Sequence, residues 1–271
     1  MAIITISRGT FTGGRSLAER VAEKLGYRCL AMAELVEASR KYDLPEEKIS
    51  KAISETPGLL EQLTHLNPER RSLLYCIRAA LVKEVRDDNV VYHGLAGHFL
   101  LRGVPNVLRF RVIADMESRL KDAMDRGHLS REDAIQIIKT LDDKRLRWTK
   151  FLYHVDWNDP SLYDLVINLH QISLSTACEV LCHTASLDEF KRTPESQKLM
   201  DDLVLSTEVR AIIAANKSTA DVGVEIKADN GIVTIGGTVA SLNEADKVRE
   251  IVRTVPGVKE IDSKMRVQGL A

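Results

Sequence analysis

The stretch that decides the fold is AIITISRGTFTGGRS, residues 2–16. Residues 2–7 form a mostly apolar, β-prone run without polar alternation, which predicts a strand buried on both faces. A glycine-rich turn follows, and Ser16–Leu25 has the pattern of an amphipathic helix that ends at Gly26. This order of strand, glycine loop and helix predicts a phosphate-binding loop, because glycine backbone and a helix N-terminus both present N–H groups to an anion.

The turn matches the spacing of the P-loop pattern G-x-x-x-x-G-K-[ST], with Gly9 and Gly14 in its two glycine positions. Arg15 stands where the pattern has lysine; it keeps the charge, and its planar guanidinium suits phosphate oxygens. Ser16 stands where a hydroxyl contacts bound Mg²⁺. The alternative is an ordinary strand-to-helix turn whose glycines serve packing. The predicted phosphate-binding residues are Gly9, Thr10, Phe11, Thr12, Gly13, Gly14, Arg15 and Ser16.

The composition of the 271 residues excludes several classes of protein. An apolar fraction of 44% and a charged fraction of 28% are ordinary for a soluble globular protein of one large or two modest domains. The net charge of −1 gives no polyanion-binding signature, so no nucleic-acid partner is expected. No apolar run approaches the roughly 20 residues of a membrane span, and the N-terminus lacks the pattern of a signal peptide. The four cysteines show no disulfide or zinc spacing. We therefore expect a cytoplasmic protein that does not associate with membranes.

Strands and helices alternate up to residue 187, which predicts an α/β fold with a parallel sheet flanked by helices. After the first strand, the pattern predicts strands at 27–31, 89–95, 107–114 and 163–169 and helices at 32–42, 43–54, 67–87, 115–126, 130–151 and 173–187. In an open α/β sheet, ligands bind outside the carboxyl ends of the strands. The turn Gly94–Gly97 is therefore expected to face the phosphate loop.

Positive charge concentrates in and beside the long predicted helix, at Arg126, Lys144, Arg145, Arg147 and Lys150. Phosphoryl transfer needs mobile cations, because the charge on the transferring oxygens must be neutralised as water is excluded. Ion pairs on a solvated helix explain the same residues, and the sequence does not decide between the two interpretations.

Several separated motifs resemble the cytidylate kinase-like proteins, a branch of the P-loop nucleoside monophosphate kinases. They are ITISR (4–8) and GGR (13–15), NVV (89–91) before GLAG (94–97) and FLLR (99–102), DKR (143–145) with Arg147, and DW (156–157) with DP (159–160) before YDLVIN (163–168). The resemblance covers residues 1–187.

This resemblance implies a nucleotide-binding domain with ATP as phosphoryl donor, Mg²⁺ as cofactor and a nucleoside monophosphate as acceptor. It also implies catalytic roles: Arg15 neutralises the donor phosphates, while Arg145 and Arg147 close over the transferring group. The family usually has glutamine where Gly9 stands and arginine where Leu95 stands. These departures leave a second hypothesis open, a nucleotide sensor or scaffold with weak or no turnover.

The last part of the chain predicts a small α+β domain. A polar stretch at 188–197 is predicted to be a linker, and residues 198–268 give the order helix, strand, strand, helix, strand. The two strands are joined by Asp229–Gly231, a strong hairpin signal. This order, with the motifs at 231–239 and 255–258, resembles a BON domain. The resemblance implies a regulatory or assembly role, through self-association into a homo-oligomer or through ligand binding.

Overall fold

The computed structural model describes residues 2–42, 68–94 and 97–269 and divides into two compact units. Of the described residues, unit 1 contains 2–34 and 87–192, and unit 2 contains 35–42, 68–86 and 193–269.

Unit 1 is built on a five-stranded parallel sheet in the order β2-β3-β1-β4-β5. The strands are β1 (Ile3–Arg8), β2 (Arg28–Ala31), β3 (Val90–His93), β4 (Val107–Ile113) and β5 (Leu165–Asn168). The central strand β1 pairs with β3 on one side and with β4 on the other, and Ile3, Ile4 and Ile6 are buried. The predicted α/β fold with a buried first strand is confirmed.

Helices cover the sheet of unit 1. They are α1 (Gly14–Leu25), the start of α2 (Met32–Ala38), α4 (Gly97–Leu100), α5 (Met116–Gly127), α6 (Arg131–Tyr153) and α7 (Leu174–Ala185). Leu17 and Val21 of α1 and Leu181 of α7 share a core with β1. Asp115 and Ser130 cap α5 and α6 by accepting hydrogen bonds from backbone amides three residues later, as small polar residues at helix starts do.

Unit 2 combines helices with a small sheet. Its elements are the end of α2, α3 (Pro68–Glu84), α8 (Pro194–Ala215), β6 (Val224–Asp229), β7 (Ile232–Val239), α9 (Leu242–Arg253), β8 (Glu260–Ser263) and β9 (Arg266–Val267). Asn230 and Gly231 form the predicted two-residue hairpin turn, with φ of 52° and 91°. Two positive φ angles are what a type I′ turn requires. β8 and β9 both pair with β7 in parallel.

Helix α3 packs against α8 within unit 2. Tyr42, Cys76, Ala79 and Ala211 form a small buried cluster. The Tyr42 hydroxyl donates to Glu208 on α8 at 2.7 Å. Residues 68–84 precede β3 in the chain, yet they pack with the C-terminal elements of the molecule.

Two predicted elements differ in the structure. α8 begins at Pro194 rather than near Lys198, because Thr193 and Ser196 cap each other's backbone amides and Pro194 fits the first helical turn. The predicted last strand divides into β8 and β9 opposite Gly237, whose φ of 109° interrupts the regular strand geometry of β7. The helix predicted at 43–54 and the turn residues Leu95 and Ala96 lie outside the described residues.

Within the described ranges, no helix combines the length and the apolar character needed to cross a lipid bilayer.

Candidate phosphate-binding site

The predicted phosphate loop lies between the end of β1 and the start of α1. Phe11 and Gly13 adopt left-handed backbone conformations, with φ of 56° and 78°. Inside the loop, the Thr12 hydroxyl donates to the Gly9 carbonyl at 3.0 Å. The loop therefore reverses direction tightly and delivers the chain into α1 at Gly14.

The carboxylate of Asp142, on α6, lies at the entrance of this loop. It accepts hydrogen bonds from the Thr10 amide and the Thr10 hydroxyl, both at 2.9 Å. Arg145 donates to it at 2.8 Å, and Arg119 of α5 also donates to it. A loop amide, a loop hydroxyl and two guanidiniums thus surround one anion.

The same contacts determine the charge of Asp142. Burial raises the pKa of its carboxyl, but the hydrogen bonds from Thr10 and Arg119 outweigh burial and leave the pKa lowered. Asp142 is therefore ionised at neutral pH. Arg119 also donates to the Thr10 carbonyl at 2.8 Å, which ties α5 to the loop.

Arg8 ends β1 and places its side chain across Gly14. A Cβ atom built on Gly14 would lie 2.7 Å from Arg8 Cβ and 2.8 Å from Arg8 Cδ. The Arg8 Nε atom is buried and has no hydrogen-bond partner among the described residues. Burial, followed by the charges of Arg145 and Arg15, lowers the pKa of Arg8.

His93 ends β3, beside Ile6 in the register of the sheet. The residue is 6% exposed, and its Nδ1 atom has no hydrogen-bond partner in the described part of the chain. Burial lowers the pKa of His93, and the charges of Arg8 and Arg15 lower it further. A neutral imidazole therefore lies within the field of these two arginines.

The three arginines predicted to be catalytic differ in their contacts and exposure. Arg145 lies at the loop and donates to the Thr10 hydroxyl. The Arg15 side chain is 72% exposed and donates to Glu19, one turn further along α1, at 2.8 Å. The Arg147 side chain is 57% exposed and pairs with Asp143 at 2.7 Å. Of these three guanidiniums, that of Arg145 contacts the loop in this arrangement.

The hydroxyl of Ser16 lies at the start of α1, where the P-loop pattern places it. It accepts a hydrogen bond from Arg126 of α5 at 2.9 Å. The Arg126 guanidinium therefore contacts the hydroxyl that the sequence pattern predicts to face Mg²⁺.

A cavity of about 400 Å³ adjoins the loop and is lined by residues that include Gly9, Arg111, Arg119, Asp142 and Trp157. Arg111 is buried and donates to the Trp157 carbonyl at 2.8 Å and to Asn158 Oδ1 at 2.8 Å. Its guanidinium also lies 4.3 Å from the centre of the Trp157 ring. These partners are neutral, so Arg111 keeps its charge available to an anion in the cavity.

Sequence reasoning missed four residues of this site: Arg8, Arg111, Arg119 and Asp142. Arg111 gave a signal, since it interrupts an otherwise apolar strand. Asp142 lies three residues before Arg145 on a helix, a spacing that puts both side chains on one face. Arg8 and Arg119 have no comparable local signal, because their contacts join segments that are distant in sequence.

The sequence model of the cytidylate kinase-like family matches residues 3–171, and that of the BON domain matches residues 201–269. The first match spans the loop, α5, α6 and all of the cavity-lining residues named above. The chain belongs to the cytidylate kinase-like family.

Two comparisons accompany this family assignment. A cytidylate kinase of Methanothrix thermoacetophila is 27% identical over 168 residues, which are 61% of this chain and 87% of that protein. An uncharacterised protein of Eubacterium ventriosum has a crystal structure that aligns with a TM-score of 0.54 at 17% identity, over 68% of this chain and 98% of the other. The second likeness shows the fold alone.

The cytidylate kinase-like loop has the donor set for phosphate, since it already surrounds a carboxylate with N–H and O–H donors. Metal ligands are a separate question. Among the residues that the structure describes, no group of three or more His, Cys, Asp or Glu side chains is arranged to hold a metal ion.

Proposed function

We propose that this chain is a nucleoside monophosphate kinase that transfers the γ-phosphoryl group of ATP to CMP or a close relative. The observation that carries the proposal is the arrangement around Asp142, where the loop and two guanidiniums surround an oxyanion. A phosphate group offers the same donors more oxygens and more negative charge. Family membership supports the choice of a nucleotide as substrate.

In this proposal the backbone amides of residues 9–15 hold the donor phosphates. Arg145 and Arg119 neutralise the transferring group from the side of α6 and α5, where they now meet Asp142. Phosphoryl transfer proceeds largely through positioning and charge stabilisation, so no catalytic base is assigned. Binding of the donor phosphates requires Asp142 to release Thr10.

Two further arginines are assigned to the mechanism by the sequence pattern and the family resemblance alone. The P-loop pattern assigns the loop cation to Arg15, whose exposed guanidinium has to leave Glu19 before it can reach a phosphate. Arg147 has to leave Asp143 in the same way. Ion pairs between exposed side chains contribute little to stability, so neither release costs much.

Mg²⁺, when bound, neutralises the phosphate oxygens and orients the γ-phosphoryl group. Ser16 is the loop residue proposed to face it. Because Ser16 accepts a hydrogen bond from Arg126, that guanidinium has to move before the hydroxyl can contact a cation.

The BON domain is proposed to regulate or assemble the enzyme, with self-association into a homo-oligomer as the leading role. Its match begins within α8, whose residues also pack against α3. The BON domain takes no part in the proposed phosphoryl transfer.

The test is an assay of ATP consumption by the purified full-length chain with CMP, UMP, AMP and GMP, alongside calorimetry of nucleotide binding. We expect ATP to bind and CMP to be phosphorylated. Arg145→Ala should lose turnover much more than ground-state affinity, because its guanidinium acts on charge that develops during transfer. ATP binding without any phosphorylated product would instead favour the nucleotide sensor.

A further inference from the structure

We propose that Arg8 supplies the cation of the phosphate loop, in the role that the lysine of the P-loop pattern fills in other proteins. The side chain comes from the strand before the loop and crosses the first residue of α1. The inference rests on the proposed function for its choice of ligand, the phosphate chain of a nucleotide.

The first support is steric. Cβ atoms essentially never approach other atoms within 3.0 Å, and a Cβ atom on Gly14 would lie within that distance of both Arg8 Cβ and Arg8 Cδ. The space beside Gly14 is therefore filled by the aliphatic part of Arg8. The N-terminus of α1 has no side chain of its own at this position and receives that of Arg8.

The second support is the charge around Arg8. Its guanidinium remains protonated even where burial lowers its pKa, because an arginine does not lose its proton in a protein. Among the residues that the structure describes, Nε is buried without a hydrogen-bond partner and no carboxylate pairs with Arg8. A partly buried cation with no counter-ion among these residues is costly, and the charges of Arg145 and Arg15 add their repulsion. An anionic ligand removes this cost.

The third support is His93, at the adjacent strand end. It is more than nine-tenths buried, and its Nδ1 atom has no hydrogen-bond partner within the described ranges. Burial and the charge of Arg8 both favour the neutral imidazole ring. His93 therefore adds a hydrogen-bonding group to the three arginines without adding another positive charge. Arg8 and His93 end the neighbouring strands β1 and β3, so both face the carboxyl edge where the loop begins.

Arg15 is the competing candidate, since it occupies the lysine position of the motif by spacing. Its exposure and its bond to Glu19 place it on the outside of α1. Arg8 and Arg15 lie at opposite ends of the loop and are the two candidates for its cation. Substitution of each residue in turn distinguishes between them.

The primary experiment measures binding of ATP, and separately of inorganic tripolyphosphate, to the full chain and to Arg8→Gln, Arg8→Lys and Arg15→Gln. Charge-assisted hydrogen bonds contribute about 1.5–3 kcal/mol, so Arg8→Gln should weaken both ligands about ten- to a hundredfold. Arg8→Lys should recover part of this loss, and Arg15→Gln should change the affinity less than about threefold, as expected for an exposed pair. The reverse order of effects would assign the cation to Arg15 and overturn the proposal.

A second experiment tests the crossing of Arg8 over Gly14. Gly14→Ala alone should lower the thermal stability and the tripolyphosphate affinity, because its methyl group would meet the Arg8 side chain. Arg8→Gly leaves the space beside Gly14 vacant and should lose tripolyphosphate binding. The double variant Arg8→Gly with Gly14→Lys should fold, because the lysine fills that space, and should regain the binding. Equal effects of Gly14→Ala in the presence and absence of Arg8 would contradict the crossing.

The outcomes distinguish this proposal from the proposed function. Tripolyphosphate binding that depends on Arg8, in a chain that phosphorylates no nucleotide, would refute the kinase and retain the role of Arg8. A natural chain that binds neither ATP nor tripolyphosphate would overturn both.

Discussion

Asp142 accepts hydrogen bonds from an amide, a hydroxyl and two guanidiniums, which are the donor types that bind phosphate oxygens. In the proposed function, this carboxylate competes with the donor phosphates for the Thr10 amide. Its neighbour Asp143 is half exposed and pairs with Arg147 instead. The two adjacent carboxylates therefore form a matched pair for substitution.

Asp142→Asn is expected to tighten ATP binding about tenfold, because release of a neutral amide from the loop costs less than release of a charge-assisted contact. Calorimetry of Asp142→Asn beside Asp143→Asn measures this, and the second variant should bind ATP as the natural chain does. Weaker binding in Asp142→Asn would mean that the carboxylate mainly holds Arg119 and Arg145 in place.

His98 on α4 gives a prediction about pH. Burial, followed by the charges of Arg109, Arg111 and Arg102, lowers the pKa of His98 to about 3. An unfolded chain takes up a proton on this ring near pH 6.5, but the folded chain does not until about pH 3, so stability is expected to fall as pH drops between these values.

His98→Gln should flatten this pH dependence, since the variant has no ionisable ring at position 98. Thermal unfolding followed between pH 7 and pH 4 measures the slope, with His183→Gln, a substitution of an exposed histidine on α7, as the control. An unchanged slope in His98→Gln would show that other groups control the acid sensitivity.

Strand β7 is irregular at Gly237, between the segments that pair with β8 and with β9. Gly237 has φ of 109°, and a Cβ atom there would lie 2.8 Å from the Gly223 carbonyl oxygen. Gly223 itself has open space around its Cα. The two glycines lie on adjacent segments but differ in what a methyl group would meet.

Gly237→Ala is expected to destabilise unit 2 by more than about 1 kcal/mol, because alanine has both the wrong φ and a backbone clash there. Gly223→Ala should stay within about 0.5 kcal/mol. Circular dichroism follows both units, while fluorescence of Trp148 and Trp157 follows unit 1, to which both tryptophans belong. Identical unfolding curves for the two variants would contradict the role of Gly237.

The elements that sequence alone predicted are those whose causes are local. Ser130 caps α6 through an amide three residues away, and Asn230-Gly231 fixes its hairpin within four residues. The start of α8 was misplaced because the polar composition of 188–197 concealed the reciprocal cap of Thr193 and Ser196. The loop was predicted from its glycines, whereas the position of Arg8 depends on a side chain packing over Gly14, which no spacing rule contains.

Helix α3 belongs to unit 2 although it lies inside the family match at residues 3–171. The side chains of Lys41 and Tyr42 donate hydrogen bonds to Glu208, and Arg86 forms an ion pair with Asp201 at 2.8 Å. Removal of the C-terminal part therefore removes packing partners from the kinase-like part. That residues 198–268 fold alone as an assembly domain stays a prediction.

The reactivity of the Cys76 thiol tests the packing of α3 against α8. Burial raises the pKa of this thiol to about 12, so it should react slowly with Ellman's reagent at pH 8 in the full chain. In a chain cut after Arg192, we expect Cys76 to lose its cover and to react about a hundredfold faster, as a thiol of ordinary pKa does.

Peptide mapping assigns the reacting thiol, and Cys178, buried in the core of unit 1, serves as the internal control. Protection of Cys76 in the shortened chain would show that α3 does not depend on α8.

The contact of Cys76 and Ala79 with Ala211 also has a consequence for the gene. The codons for the family match and those for the BON domain are separate along the DNA, yet two of the three side chains in this contact are encoded in the first region and one in the second. A recombination event that exchanged the C-terminal coding region would leave α3 facing an unmatched surface. Substitutions at these three positions are therefore expected to be inherited together, and the two coding regions to evolve as one.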